Sequence, residues 1–216
     1  MAVVRSAGVD VPEVLGQDDQ GRQVLEFVPG RLAMDAGPLT ASDLARVGAI
    51  VRSIHDASTG FVPTVNPHWA PAIASPGRDL ICHGDLAPWN LIIGDRWVFI
   101  DWDASSPSTR LWDLAHAAQT FALNDVSLAP PDAAERLAVF VAGYGADETL
   151  RAALPTAMVQ RVTATNELLR SSNLSGIEPW GYMDANDHGA HWRQALVYVQ
   201  RHRDVWETAL TPSTKH

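Results

Sequence analysis

The sequence predicts an α+β fold in which helices dominate. Apolar residues recur at helical spacing after residue 40, first as Leu44, Val47, Val51 and Ile54. Short apolar runs bounded by Gly, Pro and Asp indicate β-hairpins, most clearly at 91–100. The 216 residues suffice for one large domain, and 46% hydrophobic with 19% charged residues is a globular composition.

The first thirty residues are predicted to contain the end of a helix and two short strands. The strand candidates are 11–16 and 23–28, joined by a polar turn at 17–21. A two-stranded unit is marginal by itself. It also leaves an open edge, which favours pairing with a second copy of the chain, a homodimer.

The later elements are predicted to be helices separated by loops. Thr40 and Asp43 have the spacing of a capping box, which places a helix start there. The predicted helices are 40–55, 111–123, 131–145, 155–170 and one from 187 through Trp206. Segments 58–79, 104–109 and 171–184 are predicted to be loops, and the eight tryptophans are expected to serve packing.

Composition limits the cellular location and the binding partners that we expect for this protein. The formal net charge of −9 disfavours non-specific binding of nucleic acid, which needs a basic surface. Cys82 is the only cysteine, so an internal disulfide is impossible. The sequence has neither a secretory leader pattern nor a run of about 18 apolar residues. We expect a cytoplasmic protein without membrane or nucleic-acid partners.

A dense polar motif occupies the middle of the chain. His83-Gly84-Asp85 is followed by Asn90, then by a predicted hairpin that ends before Asp101. We expect Asn90 and Asp101 to lie opposite one another, about 5 Å apart, at the open end of the hairpin. An amide oxygen and a carboxylate at that separation suit Mg²⁺. Asp85 would accept a proton from an attacking hydroxyl. An ordinary hairpin, with Asp and Asn as turn formers, is the alternative.

This motif resembles the aminoglycoside phosphotransferase/choline kinase-like family, relatives of the protein kinases. Asp85 and Asn90 keep the catalytic-loop spacing of five residues, and Asp101 follows the hairpin as the metal-binding Asp does in kinases. Arg110-Leu111-Trp112-Asp113-Leu114-Ala115 matches the Arg-x-x-Asp-Leu-Ala signature of the family. The resemblance implies a protein-kinase-like fold: residues 31–216 form the helical carboxy-terminal lobe, and residues 1–30 are a β remnant of the amino-terminal lobe with the hinge.

The resemblance also implies cofactors and residue roles. ATP would be the co-substrate, with Mg²⁺ held by Asn90 and Asp101. The hinge backbone at Glu26, Phe27 and Val28 would bind the adenine edge. Asp113 would anchor the catalytic-loop backbone, and His83 would be structural.

The implied activity is ATP-dependent phosphorylation of a hydroxyl on a small molecule, an aminoglycoside or an amino-alcohol-like compound. Glu178 and Asp184, beside aromatic residues, are candidates for binding a substrate amine, although the sequence favours a solvated inter-helix loop over that role. The only lysine is Lys215, in the tail, and no glycine-rich phosphate loop precedes the motif. Two alternatives therefore stay open: a catalytically impaired protein that binds a ligand or partner, and a fragment of a longer kinase. We expect weak or no turnover by this chain alone, because the positively charged and backbone groups that hold the phosphoryl group contribute much of such catalysis.

Overall fold

The computed structural model describes residues 1–63 and 69–211. The helices are α1 (Ala2–Ser6), α2 (Ala41–Ser58), α3 (Arg110–Ala122), α4 (Pro130–Tyr144), α5 (Glu148–Ser175), α6 (Trp180–Ala185), α7 (Asp187–Arg201) and α8 (Arg203–Leu210). The strands are β1 (Val14–Gln17), β2 (Gln23–Leu25), β3 (Arg31–Leu32), β4 (Leu80–Cys82), β5 (Leu91–Ile93), β6 (Trp97–Phe99) and β7 (Ser106–Ser108). The predicted α+β class, dominated by helices, is confirmed.

The strands of the described ranges form three small antiparallel sheets. These are β1–β2, β3–β5–β6 and β4–β7. The first is the hairpin predicted near the amino terminus. The short strands β3, β4 and β7 were not predicted, and β7 lies inside the segment predicted to be a loop. Each has at most three residues and pairs with a distant part of the chain, so local patterning does not reveal it.

The β5–β6 hairpin forms as predicted, but the expected pairing at its open end is wrong by one residue. Ile93 pairs with Trp97 across the turn, and this register places Ile100 opposite Asn90. The Ile100 N–H donates to the Asn90 carbonyl at 2.9 Å. Asp101 therefore follows the last paired residue instead of facing Asn90, because the turn fixes the register.

The core is built mainly by helices, with α2 and α4 in close contact. Leu44 of α2 and Phe140 of α4 are fully buried in it. The two helices approach so closely at Gly143 that a Cβ there would collide with the backbone of Ala45. Val11 belongs to the same core, so part of the front segment packs against the helices. The boundary at residue 30 stays a prediction.

Helix α2 begins as its sequence predicts. The Asp43 N–H donates to Thr40 Oγ1, and the Thr40 N–H donates to the Asp43 carboxylate. The helix continues to Ser58, three residues past the predicted end.

Helix α5 departs further from the prediction. It begins at Glu148 rather than at Pro155, because Asp147 caps the helix through the Leu150 N–H and Pro155 is accommodated inside it. It also runs on to Ser175, and α6 follows, so most of the segment predicted as a loop at 171–184 is helical.

The last predicted helix is two helices, α7 and α8, separated at His202. Part of the loop predicted at 58–79, and the tail that carries Lys215, lie outside the described residues. No helix in the described part of the chain is both long and apolar enough to cross a bilayer.

Candidate active site

The loop from β4 to β5 carries the predicted catalytic residue, Asp85. Gly84 adopts a positive φ of 89°, and a Cβ at this position would lie 2.6 Å from the Ala104 carbonyl oxygen. Glycine is therefore required both by the backbone conformation and by the close approach of the neighbouring segment. This tight turn positions Asp85 directly after it.

Three donors hold the Asp85 carboxylate. His116 Nε2 lies 2.8 Å from Oδ1, while Trp89 Nε1 and Asn90 Nδ2 donate to Oδ2 at 3.1 and 2.8 Å. An ionised carboxylate can only accept hydrogen bonds, so His116 carries its proton on Nε2. Asp85 is thus fixed in orientation by side chains from its own loop and from α3.

Electrostatics keep Asp85 ionised. Burial favours the neutral acid, but the hydrogen bonds from His116 and Trp89, together with the charge that His116 carries at the low pH where Asp85 titrates, hold the pKa of Asp85 well below its usual range. Burial lowers the pKa of His116 itself, and the nearby Arg161 charge acts in the same direction. The pair is therefore a carboxylate beside a neutral imidazole at neutral pH.

Three observations concern Asn90 and Asp101, whose metal role stays a prediction. The Asn90 amide nitrogen donates to both the backbone and the carboxylate of Asp85, which leaves the amide oxygen Oδ1 for another partner. Asp101 is exposed, and its carboxylate accepts no hydrogen bond from any described residue. It is also the only non-glycine residue of the described ranges with a positive φ, 61°. Such backbone outliers concentrate at functional sites.

A buried network supports the loop from behind. Asp113 Oδ1 accepts the Gly84 N–H at 3.0 Å, the contact that its predicted anchoring role needs. Asp113 Oδ2 lies 3.1 Å from His55 Nε2, and His55 Nδ1 lies 2.9 Å from the Tyr144 hydroxyl. Burial opposes ionisation of Asp113, but the His55 hydrogen bond and charge outweigh it and lower its pKa.

His83 occupies the centre of this scaffold and is fully buried. Its Nδ1 accepts the Asp85 N–H at 3.3 Å, so Nε2 carries the proton and donates to the Ile100 carbonyl at 3.1 Å. Burial lowers the pKa of His83. The negative charges of Asp113, Asp85 and Asp101 act to raise this pKa, but burial has the larger effect. A neutral His83 therefore joins the catalytic loop to the end of the hairpin, which fits the predicted structural role.

The predicted hinge lies beside the β5–β6 hairpin. Strand β3, which follows it, pairs with β5 through Arg31–Ile93 and Leu32–Ile92. The Glu26 side chain is engaged by Arg96 of the hairpin turn, and Phe27 is 83% exposed. The backbone N–H groups of Phe27 and Val28 have no intramolecular acceptor among the described residues. Phe27 is exposed, whereas Val28 is buried.

Glu178 and Asp184 are placed differently from the expectation. Glu178 is exposed and accepts the Tyr182 N–H at 3.0 Å, while Asp184 accepts from Asn173 and pairs with Arg193. Neither residue lines the cavity next to Asp85. Their predicted binding of a substrate amine is untested, and local helix contacts account for both side chains.

The walls of the cavity next to Asp85 were not predicted from the sequence. Asp85 opens onto a cavity of about 500 Å³ between the catalytic loop, α3, α5 and the α6–α7 region. Four of the eight tryptophans assigned to packing line it: Trp89, Trp112, Trp180 and Trp192. Arg161, with 6% of its surface exposed, also lines it. Only the position of Trp89, four residues after Asp85, offered a signal in the sequence.

The fold resembles those of two small-molecule kinases of known structure. The structure of the microcompartment-associated aminopropanol kinase aligns with a TM-score of 0.66 at 18% identity, over 97% of this chain and 81% of that one. An ethanolamine kinase of Plasmodium vivax aligns with a TM-score of 0.62 at 14% identity, over 92% of this chain and 70% of that one. At these identities the likeness shows the fold alone.

The sequence comparisons agree with that resemblance. The model of the phosphotransferase enzyme family, APH, matches residues 63–155, which include the catalytic loop, the hairpin and α3. The family model thus matches the part of the chain that carries the motifs on which the predicted resemblance rests. The trifolitoxin immunity protein of Rhizobium leguminosarum bv. trifolii is 24% identical over 229 residues, covering 95% of this chain and 84% of that protein.

Proposed function

We propose that the protein transfers the γ-phosphoryl group of ATP to a hydroxyl of a small molecule, with an amino-alcohol-like or aminoglycoside acceptor as the starting class. The observation that carries this proposal is the Asp85–Asn90 contact at 2.8 Å, where Asp85 lines a cavity large enough for such an acceptor. The match to the family model and the folds of the two kinases support it.

Residues of this chain would position the acceptor and take up its proton. The acceptor hydroxyl would lie at Asp85, which orients it and takes its proton as the acceptor oxygen bonds to the γ-phosphorus. The bond from that phosphorus to the bridging oxygen breaks, and ADP leaves with the electron pair. Because its pKa is low, Asp85 is a weak base, and its main contribution would be orientation until the hydroxyl proton becomes acidic late in the transfer.

The donor set fits a magnesium ion. Asn90 Oδ1 and the Asp101 carboxylate are hard oxygen ligands without competing hydrogen bonds from described residues. When bound, the ion would neutralise charge on the phosphates. The backbone N–H groups of Phe27 and Val28 suit the acceptor atoms of an adenine edge. ATP, Mg²⁺ and a cytoplasmic location are parts of this proposal.

The direct test is nucleotide binding. Mg·ATP should raise the melting temperature of the wild-type protein, and the Asp101→Ala variant should lose most of that rise together with any phosphoryl transfer. Asp103→Ala is the matched control, because Asp103 is an exposed acid two residues further on. If Asp101→Ala leaves both Mg·ATP binding and transfer unchanged, the proposed assignment fails.

A second candidate function is a binding protein without turnover. It is favoured by the single lysine, Lys215, which leaves no lysine in the first 214 residues to hold the ATP phosphates. The similarity to an immunity protein is compatible with it. A ligand that stabilises the wild-type chain in the absence of nucleotide, without transfer when Mg·ATP is added, would support this candidate over the kinase.

A further inference from the structure

A buried cation lies in the wall of the cavity beside Asp85. Arg161 belongs to the face of α5 that also presents Thr165 and Leu169 to the cavity, at the i, i+4 and i+8 spacing of one helical face. Only 6% of Arg161 is exposed. Its position is therefore inside the candidate acceptor site, not on the protein surface.

Neutral groups supply the hydrogen bonds of Arg161. Nη1 donates to Thr165 Oγ1 at 2.6 Å, and Nη2 donates to the Gly84 carbonyl at 3.3 Å. The guanidinium also lies over the ring of Trp112, 5.9 Å from its centre. Among the described residues no carboxylate comes within ion-pair distance of it. A buried guanidinium of this kind is costly unless an anion compensates it.

The nearest negative charges, those of Asp85 and Asp113, are already hydrogen-bonded to other groups. Asp85 is held by three donors of its own, and Asp113 is held by His55 and the Gly84 N–H. Burial lowers the pKa of Arg161 to about 10, and the charges of Asp85 and Asp113 only partly oppose this. Arg161 is consequently protonated at neutral pH, and it is part of the cavity lining.

We infer that the acceptor carries an oxyanion, a carboxylate or a phosphate, in addition to its hydroxyl, and that Arg161 binds it. The planar guanidinium matches both anions with paired hydrogen bonds. The oxyanion would lie against Arg161 while the hydroxyl lies at Asp85, and the tryptophans would enclose the body between them. This inference rests on the proposed function. It adds the requirement that the acceptor carry an acid group as well as its hydroxyl.

Matched ligand pairs test this inference on the unmodified protein. Each pair differs by the acid group: ethanolamine with L-serine, 3-aminopropan-1-ol with L-homoserine, and glycerol with glycerol 3-phosphate. Calorimetric titration without nucleotide should give at least about tenfold tighter binding of the acid in at least one pair, the size of one charged hydrogen-bonded contact. The carboxylate and phosphate arms show which oxyanion is preferred.

Variants then assign the preference to Arg161. In Arg161→Gln the preference for the acid should be lost, whereas Arg161→Lys should keep part of it. Arg170→Gln is the matched control, since it removes the same charge from an exposed position of the same helix outside the cavity. If Arg161→Gln does not fold, the ligand pairs decide on the wild-type chain alone.

Two results would overturn the inference: equal or weaker binding of the acid in all three pairs, or an acid preference that survives in folded Arg161→Gln. Phosphoryl transfer is assayed separately with Mg·ATP. Acid-selective binding without transfer would count against the proposed function while leaving Arg161 as the anion site. Transfer to acceptors that lack an acid, with no acid preference, would support the function and refute the anion site.

Discussion

Asp85 and His116 form a hydrogen-bonded pair, with His116 Nε2 2.8 Å from the Asp85 carboxylate. The two residues are 31 positions apart in the sequence, and α3 brings them together. The imidazole is buried against Trp192, whose ring is stacked on it with centroids 6.1 Å apart. His116 is therefore a positioning residue for Asp85, and it joins the catalytic loop to the cavity wall.

Replacement of Asp85 should separate chemistry from nucleotide binding. Asp85→Asn places an amide where three donors now converge, and it cannot accept the hydroxyl proton. We expect phosphoryl transfer, measured in single-turnover reactions, to fall by about 10²–10⁴-fold. The Mg·ATP thermal shift should persist. Asp95→Asn, in the exposed hairpin turn, is the control and should transfer as the wild type does. Transfer by Asp85→Asn at the wild-type rate would remove Asp85 from the reaction.

The buried Asp113 network should dominate the stability of the loop. Asp113→Asn puts an N–H donor opposite the donating His55 Nε2, or leaves the Gly84 N–H without its acceptor. Leaving a buried hydrogen-bonding group without its partner costs about 1–3 kcal/mol. Denaturant unfolding should show a loss of this size. Glu207→Gln breaks an exposed pair with Arg203 and should cost less than about 0.5 kcal/mol. Equal losses in the two variants would contradict the network's role.

Stability should decline as the pH falls below about 6.5, the usual pKa of an unfolded histidine. Burial lowers the folded-state pKa of both His83 and His116, so below 6.5 the unfolded chain binds more protons and the free energy of unfolding drops. The melting temperature should therefore fall when it is measured from pH 7 down to pH 5. His116→Gln, which retains a donor for Asp85, should flatten the decline, while His188→Gln at an exposed position should not. A profile that is flat for the wild type would refute the prediction.

The contact between α2 and α4 should not tolerate a methyl group. In Gly143→Ala the new Cβ would collide with the backbone of Ala45, which the helices can relieve only by separating. Such overpacking costs about 1–3 kcal/mol, measurable by urea unfolding. Ala142→Ser, at an exposed neighbouring position, should change stability little. If Gly143→Ala is as stable as the wild type, α2 and α4 do not pack in backbone contact at Gly143.

The open edge of β1 should pair with a second copy of the chain, as the sequence led us to expect. Val14 and Leu15 of β1 are 46% and 61% exposed, and in the described ranges β1 pairs with β2 only. Light scattering at micromolar concentration should give the mass of a dimer, and Leu15→Lys should shift it toward the monomer. A monomeric mass for the wild type would exclude this homodimer.

The sequence predicted the catalytic loop and its hairpin because their signals are local. Asp85 and Asn90 are five residues apart, and the Gly94–Arg96 turn closes a short hairpin, so few arrangements are available to them. The capping box at Thr40 was equally local and formed as predicted. The one-residue error at Asp101 arose because the ladder register depends on how the turn closes.

Only the tertiary structure decided what surrounds that loop. Arg161, Trp180 and Trp192 lie far along the chain, and their places beside Asp85 follow from how α5, α6 and α7 pack. The sequence by itself determined that Asp85 and Asn90 share one loop at a spacing that brings them into contact, and it carried the family resemblance. The packing of the helices decided which side chains line the cavity, because contacts between distant residues depend on burial across the whole core and not on local spacing.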